Sequence, residues 1–172
     1  MLLDMFKSIR LFVFDVDGVL TDGSILIIDG GNYIRKMSVK DGYALQLARK
    51  KGYDVLVISG SDAPAVEERM RKLGIQQVNM KVTDKLTLLK KYMVANSYEP
   101  AQVLFMGDDM PDIEALQHVG LACCPSDAVA EVKEVAAYIS PFNGGQTCVR
   151  DVIEKVLRLN GDWQHVEDVA SR

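Results

Sequence analysis

Three carboxylates standing behind two apolar runs are the residues of this sequence best suited to chemistry. Asp15 and Asp17 follow Leu11-Phe12-Val13-Phe14, and Asp108 follows Val103-Leu104-Phe105-Met106-Gly107. With no His or Cys pair beside them, they make a hard oxygen site that suits Mg²⁺ rather than Zn²⁺. As positions i and i+2 of a strand continuing through them, Asp15 and Asp17 would point to one side. There, two carboxylates can share a cation or divide a nucleophile's work from a general acid's. Gly18 permits a turn that brings the Asp17 carbonyl into the site. A lone Asp behind a strand is often a turn former or helix cap, but turn chemistry does not require the whole set Asp-x-Asp-Gly-x-x-Thr, ending at Thr21. A phosphate monoester approaching these carboxylates is repelled unless a cation intervenes. Lys85, at the expected start of a helix, can balance both the phosphoryl oxygens and an aspartyl nucleophile; seen alone it reads as a solvated surface lysine. Ser59-Gly60 offers a hydroxyl and a backbone N–H to a phosphate oxygen; alone it reads as an N-cap.

Such residues need rigid strand ends to converge. The apolar runs at 11–14, 53–58, 75–80, 102–106, 120–123 and 138–139 predict strands. They alternate with helical stretches at about 41–51, 64–73, 83–96, 109–118, 127–134 and 148–159. That alternation predicts an α/β fold, a Rossmann-like doubly wound parallel sheet wrapped on both sides, whose ligands sit beyond the carboxyl ends of the strands. Between the first strand and helix, residues 24–28 and 33–39 flank Asp29-Gly30-Gly31-Asn32, a hairpin signal. A hairpin at that place serves either as a flap over the site or as an edge for a second subunit.

The 172 residues suit a single domain spanning 1–172. A net charge of −4 with scattered Lys and Arg argues against a nucleic-acid partner. No apolar run approaches the ~18 residues of a membrane span, and the first residues lack a signal-peptide pattern, so a cytoplasmic protein without a membrane partner is expected. Cys123, Cys124 and Cys148 have no spacing suited to a disulfide or metal and read as small core residues.

Asp15-Val16-Asp17-Gly18-Val19-Leu20-Thr21-Asp22, Ser59-Gly60, Lys85 and Gly107-Asp108-Asp109, in that order, resemble the motifs of the haloacid dehalogenase-like phosphohydrolases. The resemblance implies an aspartyl-phosphate mechanism with Asp15 as nucleophile, Asp17 as general acid/base, Ser59 on the phosphate and Lys85 balancing charge. It further implies Mg²⁺ held by Asp15, the Asp17 carbonyl and Asp108, with Asp109 and Asp112 supporting the metal site from behind. The hairpin, Lys40-Asp41-Gly42-Tyr43 and Gly144-Gly145-Gln146-Thr147-Cys148-Val149-Arg150 look like the branch without a cap domain. That branch includes phosphatases of the eight-carbon 3-deoxy-D-manno-octulosonate 8-phosphate, which belong to lipopolysaccharide biosynthesis, and of the nine-carbon 2-keto-3-deoxynononate 9-phosphate. Its members imply a homotetramer in which hairpins pack together and a neighbour's tail, here about 160–172, closes the site. They also place Ser38, Val39, Lys40, Asp41, Gly42, Gly60, Ser61, Arg69 and Lys72 near the sugar acid, with Asp17 and Lys85.

This chain departs from the octulosonate pattern at Ser61 and Gln46, where Arg is usual, and at Thr147 and Cys148. The expected activity is therefore a Mg²⁺-dependent phosphatase of a 3-deoxy-2-keto sugar acid. A nine-carbon or broad-range sugar phosphatase is the enzymatic alternative, and a silent phospholigand-binding or assembly module the non-enzymatic one.

Overall fold

The computed structural model describes residues 1–169. Its centre is β1 (Leu11–Phe14), whose four side chains are all buried. β4 (Asp54–Ile58) lies parallel on one flank and β6 (Val103–Met106) on the other. β5 (Gln77–Asn79), β7 (Leu121–Cys124) and β8 (Tyr138–Ile139) complete a six-stranded sheet in the order β5-β4-β1-β6-β7-β8, every pairing parallel. Alternation along β1 divides the core. Phe12 and Phe14 pack with α2 (Val39–Lys50), α3 (Pro64–Lys72) and α7 (Cys148–Leu159), while Leu11 and Val13 face α4 (Lys85–Ala95), α5 (Ile113–Leu116) and α6 (Ala130–Val135). A short α1 (Leu2–Ser8) packs beside α7. Both faces are covered, as a parallel sheet requires.

Register positions the chemistry. Phe14 lies opposite Val57 of β4 and Met106 of β6, so the residues that follow each strand emerge at one end of the sheet. The Asp15 N–H still donates to the Met106 carbonyl (3.1 Å), and Ser59 N–H to that of Asn79 (2.9 Å).

The hairpin is shorter than its sequence signal. β2 (Leu26–Ile28) pairs antiparallel with β3 (Asn32–Ile34), and one bridge, Thr21 to Met37, anchors the base. Residues 38–39, expected in the hairpin, instead start α2, because the Ser38 hydroxyl caps that helix by accepting from the Asp41 N–H. Beyond α7, Trp163 and Val166 pack against the core and Val169 is buried in it, so the described part of the tail folds onto its own chain. Residues 170–172 of the expected tail lie outside the described residues. Among the described residues, no helix is long and apolar enough to cross a membrane. All three cysteines are buried and free.

Candidate active site

Behind Phe14 the strand does not continue. Asp15 is extended, but Val16–Leu20 forms one wide irregular turn, in which Asp17 has φ −74° and ψ 121° and Gly18 has φ +83°. The two carboxylates therefore do not share a strand face, which corrects the i and i+2 reading. Thr21 closes the turn, its hydroxyl accepting from the N–H groups of Gly18 (3.3 Å) and Gly23 (3.2 Å). Glycine is needed at 18 for a second reason. A Cβ there would stand 1.9 Å from Asp108 Oδ2, so the Asp108 carboxylate packs directly on the turn's backbone.

Lys85 is the first residue of α4, whose N-cap Asp84 accepts from the Thr87 N–H. From there its buried ammonium reaches Asp15 Oδ1 (2.9 Å) and donates to Asp112 Oδ1 (2.6 Å). The other oxygen of Asp112 accepts from the N–H groups of Asp108 (3.0 Å) and Asp109 (3.4 Å). Asp112 is thus a strut that holds both the lysine and the loop behind β6. Gly107 makes room for it, since a Cβ there would lie 2.5 Å from that of Asp112.

Oxygens of Asp15, Asp108 and Asp112 lie within 4.8 Å of one another. Burial, then the neighbouring Asp112 charge, pushes the Asp15 carboxyl up to about 6, against the pull of Lys85. Burial, followed by the charges of Asp15, Asp112 and Asp109, pushes Asp108 up to about 8. Burial works to lower the Lys85 ammonium, but Asp15 and Asp112 outweigh it and the group is raised. One lysine does not neutralise this cluster. Asp108 Oδ1 is also buried with no hydrogen-bond partner, which is costly unless a ligand takes it. With Asp112 committed to Lys85 and two N–H groups, Asp15 and Asp108 are the carboxylates left to a hard divalent cation, and oxygen donors of this kind fit one.

A cleft of about 540 Å³ opens over these residues, lined also by Asp17, Ser59, Gly60, Ser61 and Asp109. Ser59 and Ser61 share a hydrogen bond of 2.9 Å across its floor. The other residues proposed near the sugar acid do not line it. Asp41 is buried and accepts from the N–H groups of Thr147 (3.3 Å) and Arg150 (2.7 Å), holding the start of α7. Gly42 is buried in α2 and Val39 is exposed on it, while Lys40 lines a separate groove beside α7. Lys72 pairs with Glu68 on the surface (2.6 Å). Arg69 lines a cavity between the hairpin and α3.

Two features had no reading in the sequence. Arg35, just past β3, donates from Nε to Asp17 Oδ1 (2.6 Å) and from its terminal nitrogen to Oδ2 (3.3 Å). No local pattern marks a partner 18 positions away. Gly144, quoted only for its motif, lies so close to the first turn that a Cβ would stand 1.9 Å from the Gly18 carbonyl oxygen, and Gly145 N–H donates to the Val19 carbonyl (2.9 Å).

Residues 75–153 match the model of the haloacid dehalogenase-like hydrolases. The 3-deoxy-D-manno-octulosonate 8-phosphate phosphatase of Yersinia pestis is 33% identical over 150 residues, 87% of this chain and 80% of that protein. Among solved structures, the phosphatase of that name from Moraxella catarrhalis, in complex with a magnesium ion, a phosphate ion and a KDO molecule, superposes with TM-score 0.88. It is 31% identical, with 91% of this chain and 90% of that one covered. The cobalt-bound deoxy-D-mannose-octulosonate 8-phosphate phosphatase from Haemophilus influenzae gives TM-score 0.87 at 28% identity, covering 91% and 92%.

Proposed function

The chain belongs to the haloacid dehalogenase-like hydrolases as a capless phosphoric monoester hydrolase, and on that footing we propose that it removes the terminal phosphate of a 3-deoxy-2-keto sugar acid of the octulosonate 8-phosphate type. In this reading Asp15 attacks phosphorus in line with the leaving oxygen, forming an aspartyl-phosphate, while Asp17 gives the leaving alcohol its proton. Asp17 then takes a proton from the water that hydrolyses the aspartyl-phosphate. Ser59 holds a phosphoryl oxygen, and Lys85 keeps Asp15 ionised and offsets charge on the transferred group. Asp15, Asp108 and the Asp17 carbonyl would hold Mg²⁺, which when bound lowers the repulsion between carboxylates and phosphate.

The observation that carries this reading is the Lys85 ammonium bridging Asp15 and Asp112 beside the orphaned Asp108 oxygen. A buried carboxylate held by one lysine and facing an open cleft is an activated nucleophile in want of a phosphate. The substrate class rests on the Yersinia and Moraxella relatives. Ser61 favours a second reading. Its hydroxyl bonds to Ser59 where octulosonate phosphatases usually place an Arg, so the nine-carbon acid or a broader range of sugar phosphates is the alternative substrate.

Assembly through the hairpin completes the proposal. Leu26, Ile27 and Tyr33 are 61%, 73% and 57% exposed, an apolar edge that a homotetramer would bury.

Phosphate release from the eight- and nine-carbon acid phosphates and from hexose phosphates, with Mg²⁺ and with chelator, tests the substrate class. Asp15→Asn should abolish turnover while sparing the fold. Full activity in that variant would remove Asp15 as the nucleophile.

A further inference from the structure

We infer that Arg35 is a positioning residue of the phosphatase, a guanidinium carried by the hairpin that fixes the Asp17 carboxyl group, whose acid form gives its proton to the leaving group. The inference rests on the role proposed above for Asp17 and extends the catalytic apparatus to an element outside the sheet.

The geometry is that of a bidentate clamp. Nε and a terminal nitrogen of Arg35 engage the two oxygens of Asp17 separately, an arrangement that fixes the plane of a carboxylate as well as its place. The two sides of the pair are unequally wet. The Arg35 side chain is 8% exposed, whereas that of Asp17 is 32% exposed and lines the acidic cleft. Arg35 instead lines the cavity of about 750 Å³ between the hairpin and α3, which Asp62 and Arg69 also line. The arginine therefore grips the carboxylate from behind, from the hairpin side, and leaves it facing the cleft.

Burying a guanidinium costs solvation, and a residue at the end of a short surface hairpin has water within easy reach. What it obtains here is a fixed Asp17. That residue lies in an irregular turn next to Gly18 at φ +83°, where no strand or helix ladder orients the side chain. The Thr21–Met37 bridge ties the hairpin base to the same turn, so Arg35 and Asp17 are held in register by a short, closed path. A proton donor must meet its acceptor within a few tenths of an ångström, and a carboxyl group free to rotate meets it less often.

The test is the dependence of kcat/KM on leaving-group acidity, measured on substituted phenyl phosphates from 4-nitrophenyl to 4-methoxyphenyl phosphate with Mg²⁺ present. In the proposed scheme kcat/KM reports only the steps through phosphoryl transfer to Asp15, so later hydrolysis does not blur it. Poor leaving groups need the proton and good ones scarcely do. Arg35→Ala should therefore steepen the dependence, with a loss of roughly 10- to 100-fold on the poorest leaving group and a much smaller loss on 4-nitrophenyl phosphate. Arg35→Lys should recover part of the loss. In an Asp17→Asn background, Arg35→Ala should add nothing further.

A uniform loss across the series, no loss, or additive losses in the double variant would each overturn the inference, since a structural tie or a direct substrate contact has no reason to track leaving-group acidity. If Arg35→Ala does not fold by circular dichroism, Arg35→Gln, which keeps the stem and one N–H donor, carries the same comparison alongside Arg35→Lys. Asp15→Asn is run in parallel. If it turns over, the parent reading fails; if it is dead while Arg35→Ala loses rate uniformly, only the role of Arg35 falls.

Discussion

Replacing Asp41 by Asn should change how stability depends on pH. Asp41 sits 2% exposed in the first turn of α2, and its two oxygens accept from the N–H groups of Thr147 and Arg150 at the start of α7. Burial pushes its carboxyl from 3.8 up to about 6, although both N–H groups pull the other way. Between those values the folded protein holds a proton that the unfolded chain has released. The Asp41 contribution to stability therefore falls as pH rises from about 4 to 6 and is flat above. Integrating the two titrations gives a cost of about 2 kcal/mol at pH 5 and about 3 kcal/mol at pH 7.

Asn at 41 has no proton to hold. It still accepts from one N–H but turns its own NH₂ toward the other, which costs about 1–3 kcal/mol at every pH. The wild type should therefore lose about 1 kcal/mol more than Asp41→Asn between pH 5 and pH 7. Urea denaturation of both proteins at the two pH values, with chelator present, measures this. Titration of the other buried carboxylates is common to both chains and cancels in the difference. Parallel pH dependence in the two proteins would refute the upward shift that burial gives the Asp41 carboxyl.

Gly144→Ala places a Cβ 1.9 Å from the Gly18 carbonyl and 3.0 Å from that of Thr21, backbone that cannot step aside. A loss of about 1–3 kcal/mol is expected, with kcat falling more than KM because Gly18 backs the Asp108 carboxylate; unchanged urea midpoint and turnover would count against this contact. Lys85→Met leaves Asp15 and Asp112 buried without their cation. It should cost about 3–5 kcal/mol at pH 8 and less in acid, where carboxylates can protonate, and denaturant titrations at pH 5 and 8 read the difference. Ile27→Asp puts a charge on the apolar hairpin edge at a residue 73% exposed in the single chain. Sedimentation should show a smaller species with the fold retained, and an unchanged mass would remove the hairpin from the assembly.

Much of the fold was legible because it depends on short-range pattern. The apolar runs of β1, β4 and β6 are too short for helices, and their alternation with amphipathic stretches such as α7 leaves a doubly wound parallel sheet as the consistent packing. Motif order likewise located Asp15, Ser59, Lys85 and Asp108, since parallel strands deliver their carboxyl ends to one edge. Boundaries slipped where a cap competes with strand propensity, as at Ser38, whose hydroxyl starts α2 inside the expected hairpin.

What only the tertiary structure decided was which groups meet. Asp17 leaves the strand line because Gly18 turns the chain, and it meets Arg35 across 18 positions; Lys85 meets Asp112 across 27, and Asp41 reaches the start of α7 across 106 and 109. Residue type and period describe the face a side chain shows, whereas its partner depends on register, on the turn that aims it and on the water that packing excludes. The sequence by itself thus determined the sheet and the chemical types at its edge, and the packed structure determined how their charges are paired.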